Sequence, residues 1–487
     1  MTSRPGRVGP GYLILAVVTA AQILSTATSL VVAVAVPPIG RDLGAHGTEL
    51  QWVIDAFVLV LASLLIAGGA AGDRFGRKDA FLAGLGCFAL GSLACAVAPS
   101  IEWLLAGRVV QALGPVLVLP ASLAIVSETF PDPRARAQAI GLWGAGSGIG
   151  LASGPTFGGA IVDAVGWRGV FAVNVPILAV LAVVGWRTIP RTRPAPPEHP
   201  FDARGAALLT AGLAGLTFVI IEGRQAGWTS AGILIAGTVA VGALAAFAVV
   251  ERRHVAPMVD PAVLRSRAFV VANLSGATVF FAFTGIVVFM ASFLQQVQGE
   301  GPGTTGLHLL PFGAAVALCA PVAGRLTGRL GPRTPILIGL GLACAATVVL
   351  RLRLDVDLAR GSLWWTFALL GAGVGLALPP MTVTAITTVD RARTGMASAV
   401  HNASRQLGQA LGVAVIGAIV LAQAGTAGDG GRRLTGADAA AWTSGLHTAL
   451  AVCAALLAAA LVGAAAVLPR GLAAAPPGAP ANVAPTG

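Results

Sequence analysis

Lysine is nearly absent. Of 31 Lys and Arg residues only Lys78 is a lysine, and it lies between Arg77 and Asp79. A phosphate-binding loop needs Gly-Lys followed by Ser or Thr, so no such ATP site can form. Glycine-x-glycine fragments do occur, as in Gly144-x-Gly146-x-Gly148-x-Gly150, but inside an apolar run and without GxGxxG spacing. Charge of either sign is scarce, 10% of 487 residues, against roughly 25% in soluble domains. Cysteine is scarce as well. Cys87, Cys95, Cys319, Cys344 and Cys453 are odd in number, none is spaced as CxxC, and all fall in apolar runs. They read as small buried hydrophobes, with no disulfide or metal framework. The sparse polar residues offer no His/Asp/Glu cluster and no nucleophile–base set, which argues against an enzyme. A membrane sensor would carry an appended soluble domain, and none is visible.

Apolar side chains make up 56% of the chain, and runs of about 20 residues recur from end to end, each long enough to cross a bilayer. The runs are continuous rather than alternating, which excludes a β-barrel. The fold class is therefore an all-α polytopic membrane protein. Fourteen spans begin near residues 12, 51, 80, 103, 138, 170, 205, 231, 269, 305, 335, 362, 395 and 445. The first run is too long for a signal-peptide core and ends in Pro37-Pro38 rather than a cleavage site. With the N-terminus inside, cytoplasmic segments hold 21 of the 31 cations and external loops eight, while Arg108 and Arg405 fall within spans. That bias predicts cytoplasmic termini in the cell membrane. The net charge of +11 is thus topological, facing anionic lipid rather than nucleic acid.

Two short loops are copies. Gly69-x-x-Gly-Asp73-Arg74-Phe-Gly76-Arg77-Lys78 aligns with Gly324-x-x-x-Gly328-Arg329-Leu-Gly331-Pro-Arg333 at an offset of 255. Gly114 and Pro120 match Gly373 and Pro379 at offset 259, and Gly150, Gly154 and Gly159 match Gly408, Gly412 and Gly417 at offset 258. Near-constant offsets predict two equivalent six-span halves, 12–189 and 269–468, around two extra spans in 205–250. An N-tail (1–11), cytoplasmic linkers (190–204 and 251–268) and a disordered Ala/Pro-rich tail (469–487) complete the chain. Duplicated halves that rock around a midplane site are a usual build for secondary transporters.

The densest pattern is Gly141, Gly150, Gly154-Pro155, Gly158-Gly159. Residues four apart share a helix face, so Gly146, Gly150 and Gly154 form a bare strip that admits a close neighbour. Pro155 is expected to bend or loosen the following turn. This segment resembles the antiporter motif of drug exporters in the major facilitator superfamily. The Gly69–Lys78 loop resembles that superfamily's signature after its second span. Arg108-x-x-Gln111 with Pro120 resembles its fourth-span motif, with Ala112 in place of a usual glycine. Trp167-Arg168-x-x-Phe171-x-x-Asn174-x-Pro176 resembles the entry to the sixth span. The chain, from about Leu13 to Leu468, is similar to the fourteen-span drug:proton antiporters. The resemblance implies the major facilitator fold and, for lipophilic-cation exporters, an acid at the position of Asp55. It departs from the family in the first span, where Thr28 and Ala33 stand at an Asp and an Asn position and no carboxylate exists. That departure weakens the case for polycation cargo.

Asp55, one to two turns inside the second span, is the candidate proton-coupling group. An intramembrane carboxylate is costly unless it pairs or reaches water; the alternative is a helix cap at the membrane surface. Arg108 must pair or find backbone carbonyls. The resemblance places it in a proton relay; the alternative is a fixed ion pair, with Asp55 among its candidate partners. Glu222 is a second candidate acid or an interfacial anchor. His308 and His401 are candidate relays or helix contacts. Gly69, Asp73, Arg74, Gly76, Arg77 and Lys78 form a candidate gating latch, or simply topology-setting charge. Gln111, Trp143, Arg405 and Gln409 are candidate cavity-lining residues. Together these predict a monomeric, proton-driven exporter of hydrophobic small molecules, cations among them, that uses alternating access and no cofactor. A dedicated exporter of a metabolite made by the host is the alternative.

Overall fold

In lipid the polar backbone of an apolar segment has no hydrogen-bond partner but itself, and the chain responds with helices. The computed structural model describes residues 10–191, 202–253, 263–358, 361–389, 394–424 and 433–469. The helices are α1 (Pro10–Leu43), α2 (Gly47–Phe75), α3 (Arg77–Ala96), α4 (Ile101–Thr129), α5 (Pro133–Val165), α6 (Gly169–Ala172) and α7 (Asn174–Thr188). They continue as α8 (Ala203–Ala226), α9 (Ala231–Arg253), α10 (Arg267–Ser292), α11 (Pro302–Leu330) and α12 (Arg333–Arg353). The last three are α13 (Trp364–Thr387), α14 (Thr394–Ala424) and α15 (Ala437–Val467). The short α6 and α7 make one crossing. Thirteen crossings among the described residues are long and apolar enough to span a membrane, and α5, at 33 residues, is the fourteenth. This is a multi-pass membrane protein.

Local chemistry sets the starts. Asp132 caps α5 by accepting from the Ala135 N–H at 2.8 Å, with Pro133 in the first turn. Ser100 and Ser266 cap α4 and α10 in the same way. The largest misjudged boundary is α15, which starts at Ala437 rather than near 445. Thr443 and Ser444 look like a polar break. Their hydroxyls are satisfied, however, by the Ala439 carbonyl at 2.8 Å and by Gln423 Oε1 at 2.7 Å, so the helix runs through them. The expected N-tail, the disordered C-terminal tail and most of the linker before α8 fall outside the described residues.

The repeat is visible as packing. On α5, Gly146, Gly150 and Gly154 lie against Thr19, Ile23 and Ala27 of α1; a Cβ on Gly150 would stand 2.6 Å from the Ile23 carbonyl oxygen. On α14, Gly408 and Gly412 approach the Ala277 and Phe281 carbonyls of α10 in the same manner. Likewise α3 meets α4 where a Cβ on Gly114 would sit 2.9 Å from the Gly84 oxygen, and α12 meets α13 where one on Gly373 would sit 2.7 Å from the Gly339 oxygen. Such close backbone approach is how membrane helices associate without a hydrophobic drive between them. The two copied loops turn on Gly76 (φ 98°) and Gly331 (φ 77°), left-handed positions suited to glycine. The end of the bundle that carries them is termed the turn end, and the opposite one the far end.

At the turn end Lys78 Nζ donates to the Trp186 and Ile189 carbonyls, each at 2.6 Å, and so closes the C-terminus of α7. Arg77 pairs with Glu128 at 2.6 Å. The Lys78→Met variant is expected to lose about 1.5–3 kcal/mol, the worth of charge-assisted hydrogen bonds to partly buried acceptors. A lowered melting temperature in detergent checks it.

Candidate functional site: a buried polar cluster beside the seam between the halves

Two titratable side chains are wholly buried at similar depth. Asp55 is the ninth residue of α2 and Arg108 the eighth of α4, which puts them roughly 10–12 Å from the far-end starts of their helices. Both are 0% exposed. Arg108 is held by neutral groups. Its Nε donates to the Val53 carbonyl at 2.8 Å and its Nη1 to Gln111 Oε1 at 2.6 Å. Gln111 in turn donates to Ser92 Oγ at 2.8 Å, and the Asn174 amide reaches Ser92 at 3.5 Å and Thr28 Oγ1 at 3.4 Å. The guanidinium carbon stands 4.4 Å from the Phe57 ring centroid. One guanidinium nitrogen, Nη2, keeps no partner. The cluster joins α1, α2, α3, α4 and α7, and Thr28 sits in it where the resembling family carries an acid.

Asp55 takes no part in that network. Neither carboxyl oxygen has a hydrogen-bond partner, and among the described residues no ion pair joins it to Arg108. The fixed Asp55–Arg108 pair is therefore not formed. Nor is Asp55 an exposed helix cap: α2 starts eight residues earlier, where the Glu49 carboxylate accepts from the His46 N–H at 2.9 Å. One turn before Asp55, Gln51 is also buried with both amide atoms unpartnered, and it fills the space left by Gly417 of α14. Farther along α2, Phe57, Val58 and Leu61 pack with Ala410 of α14. Asp55 thus lies on a helix that forms the seam between the two halves.

That seam is closed at the far end. Gln295 Nε2 donates across it to the Val34 carbonyl at 3.1 Å, Thr156 Oγ1 to the Gly306 carbonyl at 3.2 Å, and the Gly303 N–H to Asp163 at 2.9 Å. A Cβ on Gly159 would collide with the Pro302 carbonyl, and one on Gly306 would stand 2.5 Å from the Pro155 oxygen. These three hydrogen bonds between α1–α7 and α10–α15 all lie in this far-end region. At the turn end Gly324 and Gly328 face open space.

The glycine pattern therefore divides. Gly150, Gly154 and Gly158 serve the α1–α5 contact inside one half, whereas Gly159 and the Pro155 carbonyl meet the other half. Pro155 does not break α5, which runs unbroken to Val165; its neighbour's missing side chain and its own carbonyl make room for α11 instead. Gly141 lies in α5, but its surroundings are outside the described residues, as is the Asp73 side chain. Arg74 is exposed at the turn end, and Gly69 has ordinary clearance from Pro120 at 3.6 Å. The unremarked Gly68 is the tight position, against the Val116 carbonyl. Glu222 accepts from Trp52 Nε1 at 3.0 Å, tying α8 to α2 beside Gln51. Trp143 packs into the core of its own half with its Nε1 unpartnered, and Gln409 is buried. Arg405 is half-buried over Phe280. His401 bridges Thr382 and Asn273, while His308 pairs with Glu300 at 2.8 Å.

Sequence reasoning missed Ser92, which carries no signal beyond sitting in a glycine-rich span. It also missed Gln51 as a buried seam residue; its spacing of four from Asp55 was the available clue.

The sequence profile of the Major Facilitator Superfamily matches residues 18–413 and again 272–483. The chain is 39% identical over 395 residues to the multidrug resistance protein Stp of Mycobacterium tuberculosis, covering 81% of this chain and 73% of that one. It is 34% identical to a methylenomycin A resistance protein of Streptomyces coelicolor (82% and 83% covered). It is 32% identical to the tetracenomycin C resistance and export protein of Streptomyces glaucescens (86% and 77%). Among solved structures, an inward-facing, unoccupied bacterial homologue of the human lysosomal transporter Spinster superposes with a TM-score of 0.69 at 19% identity, over 96% of this chain and all of that one. Duplicated glycine seams, a far-end closure between two halves and these matches agree: the chain belongs to the Major Facilitator Superfamily.

Proposed function

We propose that the protein exports hydrophobic drug- or antibiotic-like molecules from the cell by proton-driven alternating access. The observation that carries this reading is Asp55, a wholly buried carboxyl without a partner, on a helix of the seam that must open and close. A carboxylate there has no hydrogen-bond donor and no ion-pair partner, and taking up a proton removes the cost of burying the charge. With the basic loops inside, the far end is external and this arrangement is open toward the cytoplasm. In the cycle, Asp55 is protonated from outside, the carrier returns inward, and release of the proton is coupled to capture of cargo. Arg108, held by uncharged groups, keeps a fixed positive charge near that site. The protein acts as a monomer in the cell membrane, with both termini cytoplasmic, no cofactor and no nucleic-acid partner.

A susceptibility panel in an efflux-deficient host tests the reading. Expression is expected to raise tolerance to several hydrophobic compounds, and a protonophore to abolish the gain. Tolerance that survives the protonophore would overturn proton coupling. The Streptomyces glaucescens relative, named for resistance to and export of one compound, favours a second reading in which the cargo is a single metabolite made by the host. Deleting the gene in its own host then traps that compound inside.

A further inference from the structure

Arg405 is the twelfth residue of α14, roughly 17 Å along its axis, and so is deep in the bundle. Its surroundings differ from those of Arg108. Its Nε is buried with no acceptor. Its Nη1 reaches only Asn402 Oδ1, at 3.4 Å. The guanidinium carbon lies 4.4 Å from the Phe280 ring centroid. Among the described residues no carboxylate pairs with it. The neighbouring His401 cannot help: its two ring nitrogens are engaged by Thr382 at 3.2 Å and Asn273 at 3.3 Å.

The repeat shows that packing does not require this cation. Gly408 and Gly412 copy Gly150 and Gly154 at offset 258, and at the same offset Arg405 stands where the first half has Ser147. Both halves make the same glycine contacts, yet only one carries an arginine a turn before them. Arg405 also lies toward the turn end of Ala410 and Gly417, two α14 residues that touch α2, and so away from the far-end closure. Its side chain is only partly buried by area, and its aromatic support continues through Phe283 (4.8 Å from Phe280) to Phe312 (5.6 Å from Phe283).

We propose that Arg405, backed by Phe280, receives the acidic group of the cargo, so that the transported molecules are hydrophobic organic anions rather than lipophilic cations. This rests on the export reading above. A guanidinium in a partly dry site, lacking an acid of its own, attracts an anion and repels a cation. With Asp55 protonated, the two intramembrane arginines leave the site doubly positive, and an anionic cargo reduces that excess where a cationic one adds to it. The direction of transport fits as well. One anion leaving while one proton enters moves two charges down an inside-negative potential.

The test uses tetraphenylborate and tetraphenylphosphonium, which match in size and shape and differ in the sign of charge. Each is titrated against the full-length protein in phosphatidylcholine nanodiscs, with thermal stabilisation as the readout. Tetraphenylborate is expected to stabilise the wild type saturably and to bind at least tenfold more weakly to Arg405→Gln, with Arg405→Lys in between. Tetraphenylphosphonium is expected to bind at least tenfold more weakly than the borate. Equal borate binding by wild type and Arg405→Gln, preference for the phosphonium, or no stabilisation by either ion overturns the proposal. Should Arg405→Gln fail to fold, Arg405→Lys and the comparison of the two ions on the wild type decide it. Protonophore-sensitive export is scored separately. Exported cations with unchanged efflux by Arg405→Gln sink this inference and leave the export reading standing. Protonophore-insensitive tolerance sinks proton coupling whatever the nanodiscs show.

Discussion

Asp55→Asn will remove uphill transport while leaving downhill exchange. The substitution is nearly isosteric and breaks no hydrogen bond, because neither carboxyl oxygen has a partner, so the fold is expected to survive it. What it removes is, among the described side chains of α2, the only buried acid. One proton moving through 100 mV supplies about 2.3 kcal/mol, which for an uncharged test cargo sustains a gradient of about fifty-fold at 1.4 kcal/mol per factor of ten. In inverted vesicles energised by a proton gradient, the wild type should approach that ratio and the Asn variant should fall to about one. Accumulation by the variant at the wild-type level would sink the role of Asp55. Asp55→Glu, which keeps the acid, should retain part of the gradient and so separate loss of chemistry from loss of shape.

The second large effect is conformational. Gly159→Ala places a methyl group against the Pro302 carbonyl, across the seam, and only while the far end is closed. Overpacking of this kind costs about 1–3 kcal/mol, equivalent to a 5–150-fold shift in a two-state equilibrium. The population should move toward an arrangement with the far end open. Spin labels at Ala164 and Leu307, exposed positions on α5 and α11, would then report longer distances. Gly150→Ala is the control. Its methyl would stand 2.6 Å from the Ile23 carbonyl, inside one half, where α1 and α5 move together. It should lower thermal stability and leave the distance distribution unchanged. A shift of equal size in both variants would defeat the division between packing and seam glycines.

That division marks what the sequence could and could not disclose. Spans, halves and the repeat were legible because hydropathy and glycine spacing are local, periodic properties. The offset of 258 even foretold that Gly150 and Gly408 do the same work. It did not say which glycines face the other half, because Gly158 and Gly159 are adjacent and only three-dimensional placement sends one to α1 and the other to α11. The candidate site was half legible. Asp55 and Arg108 stood out as charges in apolar runs, and the natural guess was that opposite charges meet. The fold instead satisfies Arg108 with the Val53 carbonyl and the amide of Gln111 on its own helix, backed by Ser92 and Asn174; Gln111 and Asn174 stood in motifs, but nothing in the sequence said that these neutral groups would meet the arginine. Glu222 was ambiguous for the same reason: its partner, Trp52, is 170 residues away in the chain.

The closure at the far end is built from glycine faces, backbone carbonyls and one carboxylate accepting from a backbone N–H. The ion pairs Arg77–Glu128, Arg168–Asp42 and Arg191–Asp79 each lie within one half. Dissolved salt weakens attraction between exposed charges over about 10 Å at 0.1 M, and it has little hold on a carbonyl seated against a glycine. The contacts that close the far end should therefore respond little to the ionic strength of the medium, in which respect they differ from a gate latched by salt bridges.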